Sequence, residues 1–111
     1  PVLTEQQKAG GTLSIGRRLS QTELAVITRQ LASLLGAQLP VSDALTVMVE
    51  QGEKQSVREL MAAIRADVLA GTSLSTALAR HPRQFPDIYR ALIAAGEESG
   101  KLGTVLASLA D

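Results

Sequence analysis

Residues 85–102 read FPDIYRALIAAGEESGKL, and this stretch decides the fold because it contains a well-started helix that glycines then break twice. Pro86 suits the first turn of a helix, since its missing N–H would have no partner there. The apolar positions that follow recur at helical spacing: Ile88, Tyr89, Leu92 and Ile93. The stretch therefore predicts a helix with one apolar face.

Two glycines enclose the end of this predicted helix. Gly96 lies four residues after Leu92 on the same stripe, where a side chain is usually preferred to none. The missing side chain predicts that another backbone approaches closely. Gly100 permits a sharp turn into the next helix, which carries the apolar residues from Leu102 onward.

Capping signals mark two earlier helix starts. Ser20 and Glu23 have the Ser-x-x-Glu spacing of a capping box, in which each side chain accepts a backbone N–H at the start of the helix. Ser56 and Glu59 repeat that spacing. Gly36 lies where a helix-ending residue with positive φ is expected.

The whole chain reads as helices joined by short links. Pro40 opens a second helix, Gly71 closes a third, and a brief fourth stops before His81, because the residue preceding a proline is pushed away from helical dihedrals. No window shows the two-residue alternation of a strand. Short links favour antiparallel neighbours. The sequence predicts an all-α fold, a compact bundle of about six short antiparallel helices.

One domain is expected, because 111 residues can bury a workable core without disulfides. Residues 1–18 are polar and contain three glycines, so we predict a flexible N-terminal linker there and a helical domain over 19–111. The chain has no initiator Met and ends within an apolar helical pattern. These features predict a fragment of a longer protein.

Composition excludes several classes of function. Eleven basic and eleven acidic residues give a net charge of zero, and there is one Tyr and one Phe, so nucleic-acid binding is disfavoured. The absence of Cys favours a reducing compartment. A spanning helix needs roughly 20 predominantly apolar residues. Every apolar run here is broken earlier, so we expect no span in this chain.

The usual constellations of an enzyme are missing from the sequence. His81 is the only histidine, and its place beside Pro82 predicts an exposed loop side chain. Without Cys there is no thiol nucleophile, and no Gly-x-x-x-x-Gly-Lys loop is present to cradle phosphate. We predict a protein that is not an enzyme and has no cofactor.

Glu97 and Glu98 are adjacent carboxylates near the end of a helix, where the helix dipole disfavours them. They are candidates to meet a cation, a partner arginine or the N-terminus of the following helix. A local structural role for Glu97 is the favoured interpretation. Weak calcium binding, with a carboxylate of another subunit as a further ligand, is the alternative.

Arg80, Arg83 and Arg90 cluster around the predicted fourth and fifth helices. A solvated surface balanced by nearby acids is one interpretation. The other is contact with an acidic partner surface or with lipid headgroups. Homodimerisation is also expected, because part of the surface of such a fragment is normally covered.

An ordered set of motifs carries a resemblance to a known family. The set begins with Thr28-Arg29-Gln30-Leu31-Ala32, Leu34-Leu35, Leu39-Pro40 and Ala44-Leu45. It continues with Gly71-Thr72-Ser73-Leu74-Ser75, Ala77-Leu78, Phe85-Pro86, Gly96-Glu97, Ser99-Gly100 and Leu102. In this order the motifs resemble the inner-membrane platform proteins of type II secretion and type IV pilus assembly, the general secretion pathway F family. Thr28 to Ala32 is similar to the first of that family's two cytoplasmic domains.

The resemblance implies a scaffold at the cytoplasmic face of the bacterial inner membrane, within a parent protein that spans the membrane. It implies that the motif residues Arg29, Pro40, Gly71, Phe85, Pro86, Gly96, Glu97 and Gly100 matter. The implied partners are the secretion ATPase and other inner-membrane platform proteins, and the implied role is to couple the ATPase to pseudopilus assembly and protein export. The alternatives are a type IV pilus platform domain and a small helical cation-binding regulatory domain.

Overall fold

The structure of this chain, a computed structural model, describes residues 18–111. The predicted linker therefore lies outside the described residues, apart from Arg18. The described part contains six helices: α1 Gln21–Gly36, α2 Val41–Gln51, α3 Gln55–Leu69, α4 Leu74–Ala79, α5 Asp87–Ser99 and α6 Leu102–Ala110. No strand occurs in residues 18–111, and the predicted all-α class is confirmed.

Neighbours in the bundle are mostly neighbours in the chain, with one exception. α2 packs on α3, α3 on α4, and α4 on α5. α6 packs on α5 and also lies along α1, where the contact is among the most extensive in the bundle. The last helix therefore closes the bundle against the first.

All six helices contribute side chains to one hydrophobic core. Its largest fully buried members are Phe85, Leu45, Leu60, Met61, Ile64, Ile93 and Leu106. Except for Phe85, which precedes α5, they lie at the helical spacing that the apolar stripes of the sequence predict. Burial of each such side chain contributes about 1.5–3 kcal/mol relative to leaving it exposed.

The predicted capping box at the start of α1 is confirmed. The backbone N–H of Glu23 donates to Ser20 Oγ at 3.0 Å, and the Ser20 N–H donates to Glu23 Oε1 at 2.9 Å. The second predicted box, at the start of α3, is wrong. α3 begins at Gln55, so Ser56 already lies inside the first turn and cannot precede it as a cap.

Arg58 holds the α2–α3 turn that the missing box would have fixed. Its Nη1 donates to the carbonyl oxygens of Gly52 at 2.7 Å and Glu53 at 3.1 Å. These bonds draw the chain into helix earlier than the Ser-x-x-Glu spacing indicates.

Helix ends agree with the sequence at two glycines and differ at one. Gly71 and Gly100 have φ of 104° and 74°, in the left-handed region that glycine tolerates. Gly36 is instead the last residue of α1, and Gln38 takes the left-handed conformation with φ of 74°. The difference arises because the Ala37 N–H still bonds back to Ser33 and Leu34 carbonyls.

Candidate functional site

Glu97 caps another helix with both of its carboxylate oxygens. Oε2 accepts the backbone N–H of Leu74 at 2.8 Å, and Oε1 accepts the Ser75 hydroxyl at 2.6 Å. The backbone N–H of Thr76, in the same first turn of α4, donates to Ser73 Oγ at 3.2 Å. A carboxylate at a helix N-terminus is stabilised by the unpaired N–H groups and the helix dipole.

This contact joins two of the sequence motifs. Glu97 lies on α5 and caps α4, the preceding helix, whereas the sequence suggested the following one. Gly71 to Ser75 and Gly96 to Gly100 thus form one structural unit, because the second motif supplies the cap of the first.

Gly96 of α5 packs closely against α6. A Cβ added there would lie 3.1 Å from the Leu102 Cα and 3.1 Å from Val105 Cγ2, which is closer than ordinary contact. The close approach that the sequence predicts at Gly96 is present. Gly100 reverses the chain so that α6 starts beside Gly96.

At Glu97, hydrogen bonds within the chain compete with the predicted calcium binding. Both Glu97 oxygens already accept hydrogen bonds from α4. Glu98 is exposed on the surface. Across residues 18–111, no group of three or more His, Cys, Asp or Glu is placed to hold a metal ion. Calcium binding with a ligand from a second subunit stays a prediction.

Arg80 and Arg90, two members of the arginine cluster, form ion pairs within the chain. Arg80 Nη1 lies 2.8 Å from Asp67 Oδ1, between α4 and α3. Arg90 forms an ion pair with Asp87 and donates from Nε to the Phe85 carbonyl at 3.0 Å. The first contact ties the end of α4 to α3, and the second holds the start of α5. Arg83 is exposed beside them.

The first motif, around Thr28 and Arg29, ties α1 to the second half of the chain. Thr28 Oγ1 and the Tyr89 hydroxyl are buried and lie 2.7 Å apart. Burial raises the pKa of Tyr89, so its hydroxyl stays protonated and able to donate. Arg29 Nη2 donates to the Ala110 carbonyl at 3.0 Å, at the end of α6. Sequence reasoning treated Tyr89 only as part of an apolar stripe and missed this bond.

His81 is half-buried, whereas the sequence predicted an exposed loop residue. Its carbonyl accepts the backbone N–H groups of Gln84 and Phe85, which folds the loop onto the core. Burial lowers the pKa of His81, which favours the neutral form of the imidazole.

An open groove lies between α1 and α2. It encloses about 480 Å³ and is mostly apolar. We call it the α1–α2 groove; its lining includes Val26, Leu34, Val47 and Met48 with the polar residues Arg29, Gln30 and Gln51. Val26 is 51% exposed at its centre. Sequence reasoning missed the groove, although Val26 stands outside the buried stripe of α1.

A second apolar surface runs along the outside of α5. Ile88 is 68% exposed and Leu92 40% exposed, although both belong to the predicted apolar face. Only Tyr89 and Ile93 of that face point into the core. The helical spacing was correct, but no neighbouring helix in residues 18–111 covers the Ile88 side.

None of the six helices in residues 18–111 is long and apolar enough to cross a membrane.

Comparison with known proteins identifies secretion proteins that are similar to this chain. Residues 27–111 match the family described as "Type II secretion system (T2SS), protein F". Type II secretion system protein F of Pseudomonas aeruginosa is 47% identical over 96% of this chain and 26% of its own length. The protein of the same name from Vibrio cholerae is 41% identical over 99% of the chain and 28% of its length.

Pilus proteins are also similar. The type IV pilus assembly protein TapC of Aeromonas hydrophila is 42% identical over 81% of this chain and 22% of its own length. The chain spans about a quarter of the length of the curated relatives it matches. Because the family match runs through every motif from Thr28 to Leu102, the chain belongs to the type II secretion system protein F family.

Proposed function

We propose that this chain is a non-enzymatic interaction domain of the inner-membrane platform of a type II secretion system, exposed to the cytoplasm. In this role it couples the secretion ATPase to pseudopilus assembly and protein export. The observation that carries the proposal is the family match over residues 27–111. The geometry supports it, because Arg80 and Glu97 are engaged in contacts between helices.

The mechanical part of the proposal rests on how the helices are joined. α6 lies along α1, Glu97 of α5 caps α4, and Thr28 bonds Tyr89 across the core. Contacts between distant parts of the chain give a body that moves as a unit. Such a body can pass force from a partner on one surface to segments attached at its ends.

Binding to the secretion ATPase tests the coupling. The ATPase of the same bacterium is titrated against the immobilised 111-residue chain, and both binding and ATP hydrolysis are measured. We expect saturable binding. If the arginine cluster is the contact, Arg83→Glu should weaken ATPase binding. Arg65→Glu, which makes the same charge reversal on α3, is the matched control and should leave binding unchanged. Absence of binding by the folded chain would contradict the coupling role.

Type IV pilus assembly is the second candidate. Within one organism, Pseudomonas aeruginosa, the chain is 47% identical to the secretion protein and 31% identical to the pilus protein PilC. The secretion role is therefore favoured. A chimera that carries this chain in place of the matching segment of either protein separates the two. We expect it to restore protein export in a secretion mutant and not pilus assembly in a PilC mutant.

Self-association and calcium binding are two finer proposals. The exposed Ile88 side of α5 offers an apolar surface for a homodimer, which light scattering over a concentration series measures.

Calcium at Glu98 would bridge subunits, so it should raise the dimer fraction only while Glu98 is intact. Calorimetric titration of the chain and of Glu98→Gln with calcium chloride checks this; equal heats would contradict it.

A further inference from the structure

The α1–α2 groove combines an apolar floor with an uncompensated acidic edge. Asp43 and Glu50 are exposed on α2, and neither forms an ion pair within residues 18–111. Residues three and four apart on a helix are neighbours. Asp43 and Glu50 therefore flank Val47, which lines the groove.

The basic residues at the groove are already engaged. Arg29 bonds the Ala110 carbonyl and lies 3.6 Å from Asp111 Oδ1. Lys54, at the lower end, lies 2.6 Å from Glu23 Oε2. Arg29 is the charged residue among those that line the groove, and it is paired. The carboxylates of Asp43 and Glu50, unpaired within residues 18–111, lie beside the lining, on α2, although the chain as a whole has a net charge of zero.

The shape of the groove fits a helix. Its lining on α1 runs from Thr22 to Leu34, about 18 Å at 1.5 Å per residue, which is the length of about three helical turns. Two antiparallel neighbours with an apolar furrow between them accept the apolar face of a third helix. Val26, half-exposed at the centre, is then the anchor contact.

We propose that the α1–α2 groove binds an amphipathic helix of a protein partner that carries Lys or Arg along one edge of its apolar face. The basic edge pairs with Asp43 and Glu50 on α2, while the apolar face covers Val26 and Val47. An anionic lipid surface is the less favourable occupant, because the same carboxylates would repel it. This inference deepens the proposed function and rests on it for the existence of a protein partner.

Two designed peptides test the charge preference. Both are helices of about 18 residues, long enough to form at least partly in isolation, with the same leucine stripe. One has Lys along the edge of the stripe, and the other has Glu at each of those positions. Fluorescence anisotropy of the labelled peptides is titrated with the 111-residue chain. We expect the Lys peptide to bind at least about tenfold more tightly, which corresponds to about 1.4 kcal/mol.

Substitutions locate the contact. Val26→Glu should abolish binding, whereas Ile88→Glu, at an exposed apolar residue of α5, should leave it unchanged. Gln30→Trp, which fills the groove from an exposed position, should also weaken binding. Circular dichroism confirms that each variant is folded. If both groove variants bind the Lys peptide as the parent chain does, the groove is not the site and the proposal fails.

A matched pair of charge variants tests the acidic edge. Asp43→Asn with Glu50→Gln should reduce the preference for the Lys peptide to less than about threefold, since each lost ion pair contributes little individually. Glu98→Lys changes the net charge by the same amount far from the groove and should preserve the preference. Equal affinity for the two peptides in the parent chain overturns the proposal. The chimera and ATPase experiments report on the platform role whichever result is obtained.

Discussion

Two regions of the molecule differ in how many of their side chains are engaged within the chain: the junction of α4, α5 and α6, and the α1–α2 groove. At the junction, a Cβ on Gly96 would lie only 3.1 Å from the Leu102 Cα, and both oxygens of Glu97 accept hydrogen bonds from α4. At the groove, Val26 is half-exposed and Asp43 has no ion pair in residues 18–111. The sequence motif at the junction therefore builds the fold, while the less distinctive groove has contacts left to offer a partner.

The largest effect is expected from overfilling the junction. Gly96→Leu would place a side chain against the Leu102 backbone, which cannot move without displacing α6. We expect a loss of about 3 kcal/mol in the free energy of unfolding, at the upper end of overpacking costs. Urea denaturation measures it. Gly36→Leu is the control, because a Cβ at Gly36 meets nothing within 4 Å. If Gly96→Leu leaves the free energy of unfolding unchanged, the junction is not tightly packed.

Removing the α4 cap should be the next largest effect. Glu97→Ala leaves the Leu74 N–H and the Ser75 hydroxyl without their acceptor. The expected loss is about 2 kcal/mol, typical of hydrogen bonds to a charged group. Glu98→Ala, at the exposed neighbour, should change stability by less than about 0.5 kcal/mol. If Glu97→Ala and Glu98→Ala lower the free energy of unfolding equally, then Glu97 does not stabilise the fold more than Glu98 does.

A smaller effect is expected at the edge of the groove and should depend on pH. The hydrogen bond from Lys54, followed by that from the Ser20 backbone, lowers the pKa of Glu23 from 4.5 to about 2. A carboxylate with a lowered folded-state pKa stabilises the fold above its unfolded pKa, and the contribution is lost as pH falls toward the folded value.

Lys54→Ala should therefore cost less than about 1 kcal/mol at pH 7, because the lysine is exposed, and only a small part of that near pH 2, where Glu23 is about half protonated. Thermal unfolding at pH 7, 4 and 2 measures the trend. Lys101→Ala, an exposed lysine in no ion pair within the described part of the chain, should show no such dependence. A Lys54→Ala cost that persists undiminished at pH 2 would contradict the assignment.

The smallest effect on stability is expected at the centre of the groove. Val26→Ser should change the free energy of unfolding by less than about 0.5 kcal/mol, because the side chain is 51% exposed. It should nevertheless weaken binding of the Lys-edged peptide. If Val26→Ser destabilises the fold as strongly as Glu97→Ala, then Val26 is a core residue and the contrast between the two regions disappears.

Sequence reasoning located elements better than it located their connections. The Ser20 capping box and the turns at Gly71 and Gly100 follow from bonds or dihedrals within a few residues, and all three are confirmed. The predicted Ser56 box is wrong because Arg58 fixes the turn by binding carbonyls of Gly52 and Glu53. The same local pattern can therefore be overridden by a side chain only two residues away.

The amino-acid sequence by itself determined the helical class, the number of helices in residues 18–111 and the family, because these depend on residue spacing along the chain. Only the tertiary structure decided that Glu97 caps α4, that Tyr89 bonds Thr28 and that Ile88 stays exposed. Those contacts depend on which helices become neighbours in space. Helical periodicity defines an apolar face but not how much of that face a neighbour covers, so the available surface emerges only after the bundle has packed.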